Sequence, residues 1–460
     1  MVNQDNLEEK NSKKQAIRVT DGSEAIIELF NALGVDYIFL NPGSDIYPIQ
    51  AAIYKYRSMG KPSPRLVLCL HESVAMAAAH SYFMISGKPQ VVLVHVDLGL
   101  QQIGGALHNA QRGRVSVLLC SGTAIATQGE RGSGRSHPTA WIQDQFDLNN
   151  IVRNYVKWHY ELRYPKQIPE VIPRAFQIAL TEPTGPVYLA LSREVLVAKM
   201  DSVKIPTLHR HRAPSTAQAD MQTLSQAADM LLGAENPLII TGYSGRHSES
   251  VTTLVRLAET LGARIVTAEI RMNFPSTHPL CACVNPLSGP GDIDHYLKGA
   301  DVILAIDHDV PYVPAKDIPS ASAKIIHIDI DPVKKDIPLW LLPADISIEA
   351  DSGKAIPLLS DIIEKKMDPE KRSYIEARSE RLGKEHRKIR QEWRLLAQSK
   401  ADDRPISAEW LCYCISKVID DDTIILSEVV SDAVSVAGSM QLTISDVIHK
   451  LCAVSDRTLL

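Results

Sequence analysis

The sequence predicts an α/β protein whose parallel sheets are covered by helices on both faces. From about residue 17 onward, short and nearly unbroken apolar segments alternate with segments of helical spacing. Such apolar runs are typical of strands buried on both faces of a parallel sheet. The 460 residues are enough for about three domains of ordinary size. We expect two complete doubly wound parallel-sheet domains and an incomplete third α/β domain.

The first domain is predicted to begin with a helix and to continue through five strands. Residues 23–33 have helical apolar spacing and are followed by Gly34, a typical position for a glycine that ends a helix. An alanine-rich helix is predicted over residues 72–80. The predicted strands are residues 35–40, 66–70, 90–96, 115–120 and 186–191.

The remaining chain shows a second α/β pattern and the start of a third. Residues 206–218 contain Pro, His and Arg without periodicity, which indicates a linker. A charged helix is predicted over residues 364–400, and a solvated helix is favoured over a basic nucleic-acid patch. A helix over 408–419 and a strand over 423–426 then open the third domain. Strands of the second domain are predicted at residues 237–241, 263–267, 301–306 and 324–330, with a helix that ends near Leu261.

Together these patterns predict the domain organisation of the chain. About 60 residues follow the charged helix, which is too few for a doubly wound domain of roughly 100–150 residues. The predicted parts are a polar tail (1–17), a first α/β domain (18–195), a linker (196–225), a central α/β domain (226–363), the charged helical linker (364–400) and the incomplete third domain (401–460).

Composition excludes several classes of protein. With 49 Lys+Arg and 54 Asp+Glu the net charge is −5, so no basic excess points to nucleic acid. Seven cysteines without a C-x-x-C pair argue against zinc ribbons, thioredoxin chemistry and a secreted disulfide framework. No apolar segment is long enough to span a membrane, and the polar N-terminus has no export signal. We therefore expect a cytoplasmic protein.

Two glycine-rich segments are candidates for phosphate-binding loops. The segment from Gly242 to Gly245 follows a predicted strand but lacks the G-x-G-x-x-G spacing, so nucleotide binding in the central domain stays open. The segment from Gly99 to Gly105 is not followed by Lys-Ser/Thr and is not a P-loop. No G-x-S-x-G motif occurs, which argues against an α/β-hydrolase.

Glu72 is a candidate functional residue. It follows a predicted strand and begins a helix, so it is expected at the carboxyl edge of a parallel sheet, where such sheets place ligands. Alternatively, its carboxylate only complements the positive end of the helix dipole.

An ordered set of motifs then carries a family resemblance. In the first domain these are Asn41-Pro-Gly-Ser44, Leu70-His-Glu72, Gly87-Lys-Pro89, the segment 99–110, Val156-Lys-Trp158 with Tyr160-Glu161, and residues 185–189. Further along are Phe274-Pro275, His278-Pro279, residues 327–332 and residues 423–434. The set resembles thiamine-diphosphate enzymes over about residues 18–442, with the first domain similar to their pyrimidine-binding domain. Within them it is most similar to the benzoylformate decarboxylase and acetolactate synthase group.

The resemblance implies how the cofactor is bound. Glu72 would hydrogen-bond a ring nitrogen of the aminopyrimidine and favour the tautomer that generates the ylide nucleophile. The cofactor would also contact Gly43, Gly99, Gln102 and Asn109. Gln102 stands where the family usually has Asn, so its side chain is one methylene longer at this site.

The resemblance also implies catalytic residues. His95 matches an active-site histidine that transfers protons, for which a near-neutral pKa is suited. Ser44 matches a serine that contacts the substrate carboxylate. His308 matches a second catalytic histidine from the central domain, although with a shifted spacing.

The metal site of the family is not recognised in the sequence. The family holds Mg²⁺, and through it the diphosphate, by a Gly-Asp-Gly followed by Asn. Here Gly291-Asp292 continues as Ile-Asp, and no metal ligands are assigned. After about Leu442 the sequence no longer resembles the family. We therefore expect a chain that is truncated in its diphosphate-binding domain and inactive alone.

The implied function is a thiamine-diphosphate-dependent, non-oxidative decarboxylation of a 2-oxo acid by ylide attack and loss of CO₂. One alternative is an acetolactate synthase-like carboligase. Another is a catalytically silent or regulatory subunit without its own diphosphate–Mg²⁺ site. The family builds its active sites between subunits, so a homodimer or homotetramer is expected, without nucleic-acid or membrane partners. The sequence names neither the 2-oxo acid nor the class of reaction.

Overall fold

The structure is a computed structural model, and it describes residues 16–128, 134–268, 271–282, 293–313, 318–420, 423, 426–427 and 452–453. Its contacts divide the chain into two compact units, with the boundary between Ser215 and Thr216. Within the described ranges, no helix combines the length and apolar character that crossing a membrane requires. Several predicted features lie outside these ranges, namely the polar tail up to residue 15, Gly291-Asp292 and most of the chain after residue 420.

The first unit is built on a six-stranded parallel sheet. Its strands, in chain order, are β2 (Tyr37–Leu40), β3 (Arg65–Leu68), β4 (Gln90–Val94), β5 (Val117–Gly122), β6 (His159–Leu162) and β7 (Val187–Leu191). Their order in the sheet is β3-β2-β4-β5-β7-β6. A short antiparallel pair, β1 (Ala16–Arg18) and β8 (Ser202–Lys204), also belongs to this unit.

Helices cover both faces of this sheet. The helices are α1 (Gly22–Ala32), α2 (Tyr47–Ser58), α3 (Glu72–Ser86), α4 (Val96–Gln102), α5 (Gly104–Arg112), α6 (Thr139–Ile142), α7 (Ile168–Leu180) and α8 (Arg193–Val197). Alternate strand residues enter two separate cores, one with α1, α2 and α7 and the other with α3, α4 and α5. In β2, Ile38 lies in the first core and Phe39 in the second. This alternation explains why the strands read as nearly continuous apolar runs.

Local capping sets the ends of the helices. The Asp21 side chain accepts a hydrogen bond from the backbone N–H of Glu24 at 3.0 Å and so caps the start of α1. Gly34 follows this helix with φ of +74°, which confirms the predicted helix-ending glycine. Helix α3 continues beyond the predicted residue 80 to Ser86, because it ends only where Gly87 adopts a left-handed conformation.

The second unit contains a five-stranded parallel sheet. Its strands are β9 (Pro237–Thr241), β10 (Arg264–Thr267), β11 (Val302–Ile306), β12 (Lys324–Asp329) and β13 (Ile346–Glu349), in the order β10-β9-β11-β12-β13. Helices α9 (Met221–Gly233), α10 (Ser248–Leu261) and α12 (Ser352–Lys366) pack on one face and α11 (Asp294–Gly299) on the other. Both units therefore confirm the predicted fold class.

The predicted charged helix over 364–400 is divided in the structure. Helix α12 ends at Lys366, and a new helix, α13 (Pro369–Ser399), starts after the Asp368 side chain accepts from the N–H of Lys371 at 2.7 Å. The proline at its first position fits a helix start. Helix α14 (Ala408–Ile415) is shorter than the predicted 408–419. A parallel pair, β14 (Leu426–Ser427) and β15 (Cys452–Ala453), also lies in the second unit.

A buried arginine joins α13 to the ends of two other helices. Arg378 is 5% exposed, and its guanidinium donates to the carbonyls of Leu261 and Gly262 after α10. It also donates to the carbonyls of Ala234 at 3.0 Å and Glu235 at 2.7 Å, which follow α9. Carbonyls at helix C-termini lack intrahelical partners, so one cation satisfies several of them.

We predict that Arg378→Ala lowers the free energy of unfolding by about 3 kcal/mol or more, because several buried carbonyls lose a charged donor. Urea unfolding followed by circular dichroism measures this loss. Arg381→Ala is the matched control on the same helix, since its side chain is 55% exposed and its ion-pair partner among the described residues is Glu385. The control should stay within about 0.5 kcal/mol of wild type. Equal effects of the two substitutions would contradict the capping role of Arg378.

Candidate functional site

The order of strands in the first unit brings four chain segments to one edge of its sheet. Strands β3, β2, β4 and β5 are neighbours and parallel, so the segments at their carboxyl ends lie side by side. These segments carry Glu72 after β3, Ser44 and Asp45 after β2, His95 after β4 and Gly122 at the end of β5. Carboxyl edges of parallel sheets are where such folds bind ligands.

A histidine–aspartate pair lies at the centre of this edge. The Nδ1 atom of His95 is 2.5 Å from Oδ1 of Asp45. Asp45 is 6% exposed, and the side chain of His95 is 25% exposed. The aspartate is therefore held inside the protein while the histidine ring reaches partly toward solvent.

Two glycines border this pair, and the absence of their side chains provides the space that His95 and Asp45 occupy. A Cβ atom on Gly43 would lie 2.0 Å from Nδ1 of His95 and 2.4 Å from Oδ1 of Asp45. A Cβ atom on Gly122 would lie 1.9 Å from the other carboxylate oxygen of Asp45. Since non-bonded carbon and oxygen atoms pack at about 3.5 Å, neither position accepts any larger residue without moving the pair. Gly43, predicted to contact the cofactor, is thus placed against the side chains of His95 and Asp45.

Asp45 also binds the backbone where β4 turns into α4. Its second oxygen, Oδ2, accepts a hydrogen bond from the N–H of Val96 at 3.3 Å. Val96 has φ of +22°, which is unfavourable for a β-branched residue. One carboxylate therefore fixes both the ring of His95 and the strained turn that follows it.

Further polar side chains surround the histidine. The side-chain nitrogen of Gln143 lies 3.1 Å from Nε2 of His95. Asp97 is 5% exposed, and its Oδ2 accepts from Nε2 of Gln145 at 3.2 Å. Its other oxygen, Oδ1, is buried and has no hydrogen-bond partner in the described part of the chain.

This environment favours the protonated form of His95. The hydrogen bond to Asp45 raises the pKa of His95 above its ordinary value, and burial opposes this rise. The negative charges of Asp45, Asp97 and Glu72 raise this pKa further. His95 is consequently equipped to donate a proton near neutral pH.

Glu72 is a buried carboxylate at the first position of α3. The side chain of His71 caps this helix by accepting from the N–H of Ser73 at 3.1 Å, which leaves Glu72 to other interactions. Glu72 is 8% exposed, and within the described ranges no group hydrogen-bonds its carboxylate. The carboxylate oxygens are not sealed in the core, so a ligand is able to replace water as their hydrogen-bond donor. Its position after β3 agrees with the expectation from the sequence.

The other predicted residues of the first unit occupy different environments. Ser44 is exposed in the loop beside Asp45, and Gln102 is exposed at the end of α4. Gly99 is buried within α4, where an added Cβ would lie 2.8 Å from the Cβ of Val94. Asn109 is half-buried on α5, a helix that packs against α3. The structure therefore places Ser44 next to the histidine–aspartate pair and gives Gly99 a role in helix packing.

His308 belongs to the second unit. It follows β11, is 1% exposed, and its Nδ1 accepts from the N–H of Val310 at 3.1 Å. His308 lies beside Gly242, the first residue of the candidate nucleotide-binding turn. At the other end of that turn, a Cβ on Gly245 would lie 2.0 Å from the Met272 carbonyl oxygen. Close packing within this unit thus accounts for Gly245.

Sequence reasoning missed four members of the site, Asp45, Asp97, Gln143 and Gln145. Asp45 immediately follows the Asn-Pro-Gly-Ser motif, so its position next to a motif was the available signal. Gln143 and Gln145 lie in a segment without periodic pattern, and no sequence feature links them to His95. Among the described residues, no group of three or more His, Cys, Asp or Glu is arranged to hold a metal ion.

Comparisons with known proteins agree with the resemblance in the sequence. Two family models match, "Thiamine pyrophosphate enzyme, N-terminal TPP binding domain" over residues 20–151 and "Thiamine pyrophosphate enzyme, central domain" over residues 224–359. The two matches lie in the first and second compact units, respectively.

Individual relatives are of two kinds. A "Probable acetolactate synthase large subunit" of Methanocaldococcus jannaschii is 28% identical over 335 residues, which are 69% of this chain and 53% of that protein. A "Probable 2-ketoarginine decarboxylase" of Pseudomonas aeruginosa is 26% identical over 352 residues, 75% of this chain and 58% of that protein. The chain thus spans about half the length of the curated relatives it matches.

Among solved structures, benzoylformate decarboxylase from Polynucleobacter necessarius is similar with a TM-score of 0.72 and 20% identity. The similarity covers 94% of this chain and 74% of that one. At this identity the similarity shows a shared fold.

Proposed function

Because this chain belongs to the thiamine pyrophosphate enzyme family, we propose that it forms the aminopyrimidine-binding half of a thiamine-diphosphate site that decarboxylates a 2-oxo acid. The observation that carries the proposal is Glu72, 8% exposed, at the same sheet edge as the His95–Asp45 pair. When bound, the cofactor supplies the carbanion chemistry that cleaves the bond to the carboxylate.

The residues present fit the pyrimidine part of this cofactor. Glu72 offers an acceptor that no donor among the described residues occupies, which suits a ring nitrogen that carries a proton. The carboxylate would hold the ring in one tautomer and orientation, while the apolar contacts of α3 with its neighbours hold the helix that carries it in place. Mg²⁺ would join the diphosphate to the protein through oxygen ligands, which we do not assign to residues of this chain.

His95 would complete the reaction by returning a proton after CO₂ has left. The Asp45 hydrogen bond raises the pKa of His95, which favours the protonated ring that is able to donate. Ser44, which is exposed and precedes Asp45 in the chain, would bind the substrate carboxylate. His308 is proposed as a second proton-transfer residue from the central domain.

A carboligase reaction of the acetolactate synthase kind is the second candidate. The curated relatives with this description are 25–28% identical to the chain, so the relatives support this reaction class as well as decarboxylation. The proton donor His95 suits decarboxylation, because that reaction replaces the lost carboxylate by a proton, whereas carboligation forms a carbon–carbon bond there and needs a proton only at the new hydroxyl oxygen.

We also propose that the first unit associates with a second copy of the chain. Three strongly exposed apolar side chains flank Glu72 in the sequence, Leu68 (68% exposed), Leu70 (94%) and Val74 (52%). Exposed apolar surface of this kind marks interaction sites. Association there would bury the surroundings of Glu72 and shield its hydrogen bond from water.

Glu72→Gln is expected to weaken thiamine binding by about tenfold or more, because a hydrogen bond to a charged group contributes roughly 1.5–3 kcal/mol. Saturation-transfer NMR with thiamine, which lacks phosphate, isolates the pyrimidine contact, for which we expect affinity of about millimolar. The matched control is Glu170→Gln, a glutamate in the first turn of α7. Equal affinity of the Glu72 and Glu170 variants would contradict the assigned role of Glu72.

His95→Ala is expected to slow aldehyde release by about 10²–10⁴-fold in an enzyme that contains this chain and a diphosphate-binding domain. The substitution removes the proton donor, so CO₂ release in the first turnover should be affected less than aldehyde release. Rapid-quench analysis measures the two products separately. Unchanged aldehyde release would refute the role of His95, and 2-hydroxy-2-alkyl oxo acids as main products would favour the carboligase.

The chain is expected to form at least a dimer at micromolar concentration, measured by light scattering after size-exclusion chromatography. Leu70→Asp should weaken this dimer by roughly ten- to a hundredfold, since burial of a leucine contributes about 1.5–3 kcal/mol. Met59→Ser is the control, because Met59 is 57% exposed at the end of α2, on the opposite face of the sheet. A monomeric wild-type protein would contradict the proposed association.

A further inference from the structure

We propose that Asp45 is a positioning residue that fixes the ring of His95, placing its proton on Nδ1 and leaving Nε2 as the atom that exchanges protons with the reacting group. This inference rests on the proposed function, because it takes His95 as the proton donor. Asp45 itself does not contact the reacting atoms; it acts through the histidine.

The hydrogen bonds determine which ring nitrogen carries the proton. Ionised Asp45 is only an acceptor, so Nδ1 of His95, 2.5 Å away, must be the donor. In neutral His95 the single ring proton therefore stays on Nδ1, and Nε2 has a free lone pair. The same logic assigns the tautomer in other histidine–carboxylate pairs.

The opposite side of the ring agrees with this assignment. The side-chain nitrogen of Gln143 lies 3.1 Å from Nε2, and an amide nitrogen is a donor. Nε2 is therefore an acceptor when His95 is neutral. When Nε2 gains a proton it must give up the bond to the Gln143 amide nitrogen, which leaves that proton available to a substrate.

Packing and a second hydrogen bond hold the pair in the observed arrangement. Gly43 and Gly122 border His95 and Asp45 so closely that any Cβ there would overlap them. The second Asp45 oxygen is bound to the N–H of Val96. The carboxylate is thus held on both oxygens, and its direction toward Nδ1 is fixed.

The charged groups that face His95 differ in their mode of action. Asp45, from the loop after β2, makes the only direct hydrogen bond among the carboxylates, whereas Asp97 on α4 and Glu72 on α3 act through space in the part of the chain that the structure describes. All three favour the protonated ring, but only Asp45 selects the nitrogen. This difference separates the positioning role from a general effect of negative charge.

The test is an NMR titration of the full chain labelled with ¹⁵N-histidine, in which His95→Gln identifies the His95 signals among those of 15 histidines. In wild type, we expect the neutral ring to carry its proton on Nδ1. In Asp45→Asn, we expect the pKa of His95 to fall by at least about one unit. The tautomer should also change, because an amide is able to donate to Nδ1. Asp97→Asn is the matched control and should lower this pKa less and leave the tautomer unchanged.

Two results would overturn the proposal. One is an Asp45→Asn variant, folded by circular dichroism, whose His95 titrates and populates tautomers as in wild type. A purely structural Asp45, needed only to bind the Val96 N–H, would give that result. The other is a wild-type neutral His95 with its proton on Nε2, and this measurement decides the question even where Asp45→Asn does not fold.

The titration is independent of the proposed function, since it uses the protein without cofactor or substrate. If Glu72→Gln does not change thiamine binding while the His95 titration gives the expected result, the proposed cofactor role of Glu72 is wrong. The positioning role of Asp45 is then still supported. If the titration fails while thiamine binding depends on Glu72, Asp45 is not the positioning residue and the cofactor proposal stands.

Discussion

The hydrogen bond between His95 and Asp45 is the interaction on which the first unit's site depends. It places a carboxylate that is 6% exposed against a ring that reaches partly toward solvent, and it combines charge, tautomer and orientation in one contact. The pair requires glycine at positions 43 and 122, because a side chain at either position would overlap His95 or Asp45. The strained turn at Val96 is stabilised by the same carboxylate. Fold and chemistry are therefore coupled at this point.

The parallel sheet makes this coupling possible. Because β3, β2, β4 and β5 are adjacent, residues from Asp45 to Gly122 in the sequence meet at one edge, and Glu72, Asp45, His95 and Gly122 on successive neighbouring strands are 27, 50 and 27 positions apart. Within a buried strand the backbone groups pair with neighbouring strands and the side chains pack in the two cores. Side chains that contact a ligand therefore come from the segments beyond the strand ends. Glu72 and His95 are thus supplied by different loops but share one electrostatic environment, as the effect of Glu72 on the pKa of His95 shows.

The second unit uses its carboxyl edge differently. Buried ion pairs lie at this edge, where Lys334 is 3.1 Å from Asp309 and is also bound to Asp329. Arg246 pairs with Asp351 at 3.2 Å and with Asp307. Removal of one member of such a pair leaves a buried charge without compensation. Charged groups therefore pair with one another at this edge, whereas among the described residues Glu72 of the first unit has no ion-pair partner. Within the same ranges, each unit also holds a buried aspartate oxygen without a hydrogen-bond partner, Oδ1 of Asp97 in the first and Oδ1 of Asp307 in the second.

The sequence by itself determined the fold class and the positions of Glu72 and His95, because apolar runs encode doubly covered strands and both residues directly follow such runs. The ends of helices depend on local signals. The sequence predicted Gly34 as the end of α1, but it did not predict that α3 continues to Ser86. Only the tertiary structure revealed Asp45, Gln143 and the role of Gly122. The contacts of Asp45 and Gln143 with His95 span 50 and 48 residues of sequence, and Gly122 lies against Asp45. No local sequence pattern shows which loops meet across a sheet edge. Strand order, a non-local property, decided the chemistry of the site.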